Sequence, residues 1–267
     1  MPAPGKPALP GPGPSVAPEE SQRRLAVLID ADNAQAATID GLLAEIAKFG
    51  IASVKRIYGD WTQPQLGSWK KILLEHSIVP VQQFGYTKGK NATDSALIID
   101  AMDLLYTGRF DGFCLVSSDS DFTRLASRLR EHGLTVYGFG ERKTPEPFVA
   151  ACDKFVYTEV LRRAPDKPAA AGEQPRPARL SDDRQLLVDL VADAIDAVSD
   201  DSGWAQLGAV GSNITKLRPD FDSRLYGHRK FSDLVKSLPG HFEVDEQAAA
   251  GSGGKSIYVR ILRRPTR

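Results

Sequence analysis

Along residues 25–163, short apolar runs alternate with longer stretches whose apolar positions recur every three or four residues. LAVLID, SVKRIYGD, IVPVQQF, GFCLVSS and LTVYGFG have the length and composition of strands. Between the first two, AQAATIDGLLAEIAKFG sets Ile39, Leu42, Leu43 and Ile46 at helical spacing and stops at Gly50. Residues 66–76 predict a short helix with Leu66, Trp69, Leu73 and Leu74 as its apolar stripe. Thr93 can cap a helix that runs to Tyr106, with Gly108 as its stop. A further helix is expected over 122–132, ending at Gly133, and residues 147–161 predict a short helix followed by an extended run. Pro80 marks IVPVQQF as an irregular or edge strand. Strands separated by helix-length segments form βαβ units, so the expected fold is α/β, a central parallel sheet flanked by helices. In such sheets ligands bind outside the carboxyl ends of the strands.

The pattern breaks at residues 164–179, APDKPAAAGEQPRPAR, where four prolines and no apolar period predict an extended linker. Beyond it, RQLLVDLVADAIDAV is an amphipathic helix, and LGAVGSNITKL and YGHRKFSDLVKSL read as two more. HFEVD and SIYVRIL then read as strands joined by the glycine-rich turn QAAAGSGGK. Three helices followed by a β-hairpin is the winged-helix pattern. The first 23 residues, rich in Pro, Gly and Ala, predict a disordered tail. The expected division is therefore a tail (1–23), an α/β domain (24–163), a linker (164–179) and a small winged-helix domain (180–264).

Charge and cysteine content narrow the function classes. Lys and Arg total 34, as do Asp and Glu, so no whole-molecule field draws nucleic acid and any such surface must be local. Two well-separated cysteines make neither a disulfide framework nor a zinc motif, which fits a reducing cytoplasm. No apolar stretch approaches the ~20 residues that span a bilayer, and the N-terminus lacks the apolar core of a signal peptide. No membrane partner is expected.

Four acidic positions carry the candidate chemistry. Asp30 closes LAVLID, with Asp32 and Asn33 behind it; Asp94 opens a helix; Asp119 and Asp121 follow FCLVSS. In an alternating α/β chain all four meet at one sheet edge. Crowded carboxylates repel one another, and a divalent cation relieves the repulsion. A hard, oxygen-liganded ion, Mg²⁺ or Mn²⁺, acting on phosphodiesters is the leading reading. Taken singly, Asp94 is also an ordinary first-turn carboxylate, and Asp119 and Asp121 an ordinary helix start. The joint placement is what is specific. No histidine is placed to act as a base, since His76 and His132 fall near helix ends. Lys88, Lys90, Arg124, Arg128, Arg142 and Lys143 stand near the expected mouth, able to hold RNA phosphates or simply to solvate the surface. Tyr86 and Trp61 follow strand ends and could stack on bases, although Trp61 suits core packing better.

VLIDADNA, KNATDSALIIDAMDLLY and FCLVSSDSDFTRLASRLREHGLTVYGFG, in that order, resemble the NYN branch of the PIN-like nucleases, the LabA-like group. The resemblance covers about residues 24–161. It implies a PIN-like sheet and a metal-dependent ribonuclease centre, in which Asp30, Asp94, Asp119 and Asp121 bind Mg²⁺ or Mn²⁺. Asn33 and Ser118 become polar supports for a ligand, a water or the phosphate, while Asp100 and Asp103 fall to supporting or structural roles. RLYGHRKFSDLVKSLPGHFEV with the wing resembles the LOTUS or OST-HTH domain over about 181–262, which implies RNA binding or protein docking. Lys216, Arg218, Arg224, His228, Arg229, Lys230 and Lys236 cluster there. Lys88, Lys90, Arg124, Arg229 and Lys230 are the expected RNA contacts. The expected function is metal-dependent RNA hydrolysis with a C-terminal RNA-binding module. The alternative is a non-catalytic RNA-binding or adaptor protein that keeps the PIN-like fold. DAD after the first strand also fits the Asp-x-Asp nucleophile of haloacid-dehalogenase-type phosphatases, but the domain offers no matching Lys and late acidic arrangement.

Overall fold

The computed structural model describes residues 23–84, 92–161, 180–248 and 255–262. Nearly all of the expected tail, the whole expected linker, and Tyr86, Lys88 and Lys90 lie outside these residues.

The apolar runs form six parallel strands: β1 (Arg24–Asp30), β2 (Ile51–Gly59), β3 (Val79–Gln82), β4 (Gly112–Val116), β5 (Thr135–Gly140) and β6 (Lys154–Tyr157). Their spatial order is β3-β2-β1-β4-β5-β6. Side chains alternate across the sheet. Leu25, Val27 and Ile29 of β1 pack with α1 (Ile39–Ile46) and α2 (Trp69–Glu75). Ala26 and Leu28 pack with α3 (Ala92–Tyr106), α4 (Thr123–Glu131) and α5 (Glu146–Ala151) on the other face. Burial on both faces explains why β1 and β4 read as continuous apolar runs rather than alternating ones.

The strand order carries the functional consequence. The chain lays β2 and β3 on one side of β1, then returns through α3 to place β4 on the other. Connections leave β1 and β4 in opposite directions, and a crevice opens between their carboxyl ends. Asp30 is the last residue of β1, and Ser117–Asp119 follow β4 directly.

Some boundaries differ from the sequence expectation. The helix over 66–76 splits into a 3-10 turn (Pro64–Ser68) and α2, because Pro64 starts the turn; Leu74 faces solvent instead of joining the stripe. Thr93 lies inside α3 rather than ahead of it. Pro80 does sit on an edge strand, as its missing N–H requires.

The C-terminal unit contains α6 (Leu180–Val198), β7 (Ala205–Gln206), α7 (Leu207–Leu217), α8 (Phe231–Lys236), β8 (Phe242–Ala248) and β9 (Lys255–Ile261). Leu187, Val191, Ile195, Val210, Ile214, Val235 and Val259 form its own core. The sheet is antiparallel in the order β7-β9-β8. The two-residue β7 escapes sequence reading because it is shorter than any detectable period. The helix expected over YGHRKFSDLVKSL is shorter than its pattern. Asp222 caps a 3-10 turn (Ser223–Tyr226), Gly227 ends it in the left-handed region at φ 82°, and α8 starts only at Phe231. Among the described residues, no helix is long and apolar enough to cross a membrane.

Candidate metal centre

The period of two along β1 decides where Asp30 points. It follows Ala26 and Leu28 onto the α3 face, and only 1% of it is exposed. A buried carboxylate needs partners, and among the described residues Asp30 has three. Asn33 Nδ2 donates to its Oδ2 at 2.7 Å, Ser117 Oγ donates to the same oxygen at 2.8 Å, and the Asp32 N–H donates to Oδ1 at 3.1 Å.

Asp94, in the first turn of α3, meets Asp119 and Asp121 from the loop after β4. One carboxylate oxygen from each lies within 4.8 Å of the other two, close enough to share one ion. Asp119 also caps the following 3-10 turn (Ser120–Phe122), accepting from the Asp121 N–H at 2.9 Å. It thus fills the ordinary helix-start role and faces the cluster as well. Asp30 lies at the floor of this group and is not one of the three that share a ligand position.

The electrostatics follow from the crowding. Burial, then the charges of Asp30, Asp119, Asp121 and Asp32, push the Asp94 carboxyl up to about 6. Asp32, at the rim, is also raised, by partial desolvation of its carboxylate and by the charges of Asp30 and Asp60. Asp60, at the carboxyl end of β2, escaped the sequence reading. Hydrogen bonds from Thr62, Gln63 and Gln82 hold it well below the usual carboxylate range, so it stays charged beside Asp32.

Asn33 holds Asp30, while Ser118 bonds elsewhere. Its Oγ accepts from the Glu141 N–H at 2.9 Å, which ties it to the loop after β5. Ser117 is the hydroxyl at the site. It donates to Asp30 and accepts from the Asp119 N–H at 3.1 Å, joining the floor to the loop that carries the other carboxylates. The alternation along β4 could have found it. Phe113 and Leu115 face α3, so Ser117 shares the face of Asp30 and Ser118 does not.

Asp100, two turns along α3, accepts from Arg56 Nη1 and from the hydroxyl of fully buried Tyr58. Tyr58 stands beside Asp30 in the β1–β2 register. This clamp ties α3, which carries Asp94, to the strand that pairs with the end of β1.

Arg124 is exposed on the first turn of α4, next in the chain to the Asp121 loop. Arg128 pairs with Glu131 at 3.3 Å and Lys143 with Glu141 at 2.9 Å. Trp61, half-buried, packs against the core and donates from Nε1 to the Val81 carbonyl at 3.0 Å. His76 pairs with Asp40, and His132 packs edge-on to Tyr106; neither serves the cluster. Arg229 and Lys230 are exposed just ahead of α8 in the C-terminal unit, with Lys230 at its N-cap position.

Comparison with known families matches residues 24–159 to the NYN domain and residues 178–251 to the OST-HTH/LOTUS domain. No curated protein matches. Among solved structures, a Vibrio parahaemolyticus protein of unknown function is 18% identical, with a TM-score of 0.44 over 53% of this chain and 96% of its own. An uncharacterized Nitrosomonas europaea protein is 38% identical, with a TM-score of 0.28 over 39% of this chain and 92% of its own. A Chromobacterium violaceum protein is 37% identical, with a TM-score of 0.25 over 30% of this chain and 85% of its own.

Proposed function

This chain belongs to the NYN domain family and carries an OST-HTH/LOTUS domain behind it, and we propose that it is a metal-dependent ribonuclease whose second domain supplies RNA affinity. The observation that carries the reading is the group Asp94, Asp119 and Asp121, gathered within 4.8 Å at the crevice between β1 and β4. Burial and the neighbouring charges make Asp94 costly to ionise, a cost that a hard divalent cation shared with Asp119 and Asp121 relieves, and an all-oxygen donor set favours Mg²⁺ or Mn²⁺. When bound, such an ion polarises the scissile phosphate and lowers the pKa of a coordinated water.

The chain's own residues do the rest. Asp94, Asp119 and Asp121 hold the ion. Asp30 adds negative charge from the floor, held in one orientation by Asn33 and Ser117. Arg124, together with Lys88 and Lys90, which precede Asp94 in the sequence, neutralises RNA phosphates. Arg229 and Lys230 contact RNA from the winged helix. The two cysteines are free and buried, in keeping with a reducing, cytoplasmic compartment.

Purified protein incubated with a mixed RNA pool should cleave it with Mn²⁺ or Mg²⁺ and not with EDTA. RNA bound but left intact under every metal condition would replace this reading with that of a non-catalytic RNA-binding protein.

A further inference from the structure

β6 is an edge strand, paired only with β5 among the described residues. In a parallel edge strand alternate N–H groups point away from the sheet and need another partner. The outward N–H of Phe155 finds one in the C-terminal unit, donating to the Pro219 carbonyl at 2.8 Å. Two residues on, the Tyr157 hydroxyl donates to Asp220 Oδ2 at 3.2 Å. Arg224 closes the contact from the same loop. Its Nη1 and Nη2 donate to the two oxygens of Glu45, in α1, at 2.9 and 3.0 Å, and its other edge is held by Asp222. Only 5% of Glu45 is exposed, so its charge depends on these partners and on Lys48 at 2.7 Å. Lys154 sits over the Phe49 ring at 5.0 Å, within the field of Asp222 and Glu45.

We propose that the loop over residues 218–226 is an intramolecular docking surface, that its partner is the β6 edge and the end of α1 in the same chain, and that Arg224 is its anchor. A planar guanidinium between two carboxylates forms paired, directional bonds that a flexible ammonium does not reproduce. The β6 edge gains a cover for its outward N–H. The apolar cores stay separate, since the C-terminal cluster shares no buried residue with the two that flank the sheet. Docking therefore rests on polar contacts and weakens with salt. Arg224 is held between Glu45 and Asp222, which withdraws it from the cations available to RNA, whereas Arg218, paired with Asp220 at 3.3 Å, stays exposed. This inference stands independently of the ribonuclease reading.

Amide hydrogen exchange of the intact chain tests it, with solution mass measured alongside. The wild type should be a monomer whose Phe155 amide is protected at low salt and less so in 1 M NaCl. Arg224→Ala and the shape-preserving Glu45→Gln should each speed exchange at Phe155 by on the order of tenfold or more. Amides of Cys114 and Leu115, in the sheet centre, should not change, which separates undocking from unfolding. Equal Phe155 exchange in the wild type and both variants overturns the proposal. So does protection that is lost on dilution together with a dimeric mass, because the occupant would then be a second copy.

Discussion

Asp94 titrates near 6 because burial and neighbouring carboxylates penalise its charged form. Its folded pKa lies above the ordinary 3.8, so the folded chain holds the proton more tightly than the unfolded one. The resulting stabilisation is fully present below about pH 3.8 and is lost as the pH rises through 6. Metal-free protein should therefore melt at a higher temperature at pH 5 than at pH 7 through this group. Asp94→Asn should flatten that part of the profile, and saturating Mn²⁺ should reverse it, because the ion needs the deprotonated carboxylate. Identical pH profiles for wild type and Asp94→Asn would remove the crowding argument. Asp119→Asn tests the chemistry at the same scale. It deletes a charge and keeps the shape and the cap, so cleavage should fall to background while circular dichroism is unchanged. Wild-type cleavage by both Asp119→Asn and Asp30→Asn would end the catalytic assignment.

At the scale of elements, the site depends on how β4 and α3 are held. Ser117 couples the end of β1 to the loop after β4 through one hydroxyl. Ser117→Ala should lower Mn²⁺ affinity or turnover by about 10–100-fold, the usual effect of losing a group that orients a metal ligand. Ser118→Ala should leave both near wild type, because that hydroxyl serves the β5 loop; the opposite ranking would refute the placement. The clamp on α3 predicts a different signature. Asp100→Ala strands the Tyr58 hydroxyl in the core and removes the carboxylate partner of Arg56, at a cost of about 1–3 kcal/mol in unfolding free energy. Metal affinity should fall with it, since the aim of Asp94 relaxes. A denaturant midpoint unchanged by Asp100→Ala would show that hydrophobic packing alone fixes the helix.

For the whole molecule, the charges divide the labour. Net charge is zero, so the proposed RNA affinity would have to come from local groups. Neutralising Arg229 and Lys230 together should weaken RNA binding and reduce the slope of log K against log salt by about 0.7–0.9 for each lost phosphate contact. Metal binding and cleavage of a saturating short substrate should not change. An unaltered affinity and slope would assign the winged helix to protein docking. Loss of turnover at saturation would mean that both domains build one active site. Arg224→Ala should behave differently from this pair, loosening the Phe155 edge without a comparable fall in the salt slope.

The chain's own pattern determined the α/β class, the parallel sheet, the winged-helix pattern at the C-terminus and the placement of Asp30, Asp94, Asp119 and Asp121 at element ends. Those features follow from periodicity and turn residues, which are local and therefore readable. The tertiary structure decided which groups meet. It chose Ser117 over Ser118 through the face that β4 presents to β1, across 87 positions of sequence. It grouped Asp94 with Asp119 and Asp121 while setting Asp30 at the floor. It brought Asp60 to the rim, closed α8 down to six residues behind Gly227, and turned Arg224 onto Glu45 across 179 positions. These outcomes depend on strand order, register and the docking of one folded unit on another, and a linear pattern of apolar and polar residues encodes none of them directly, because contact energy is set by distance in space and not by distance along the chain.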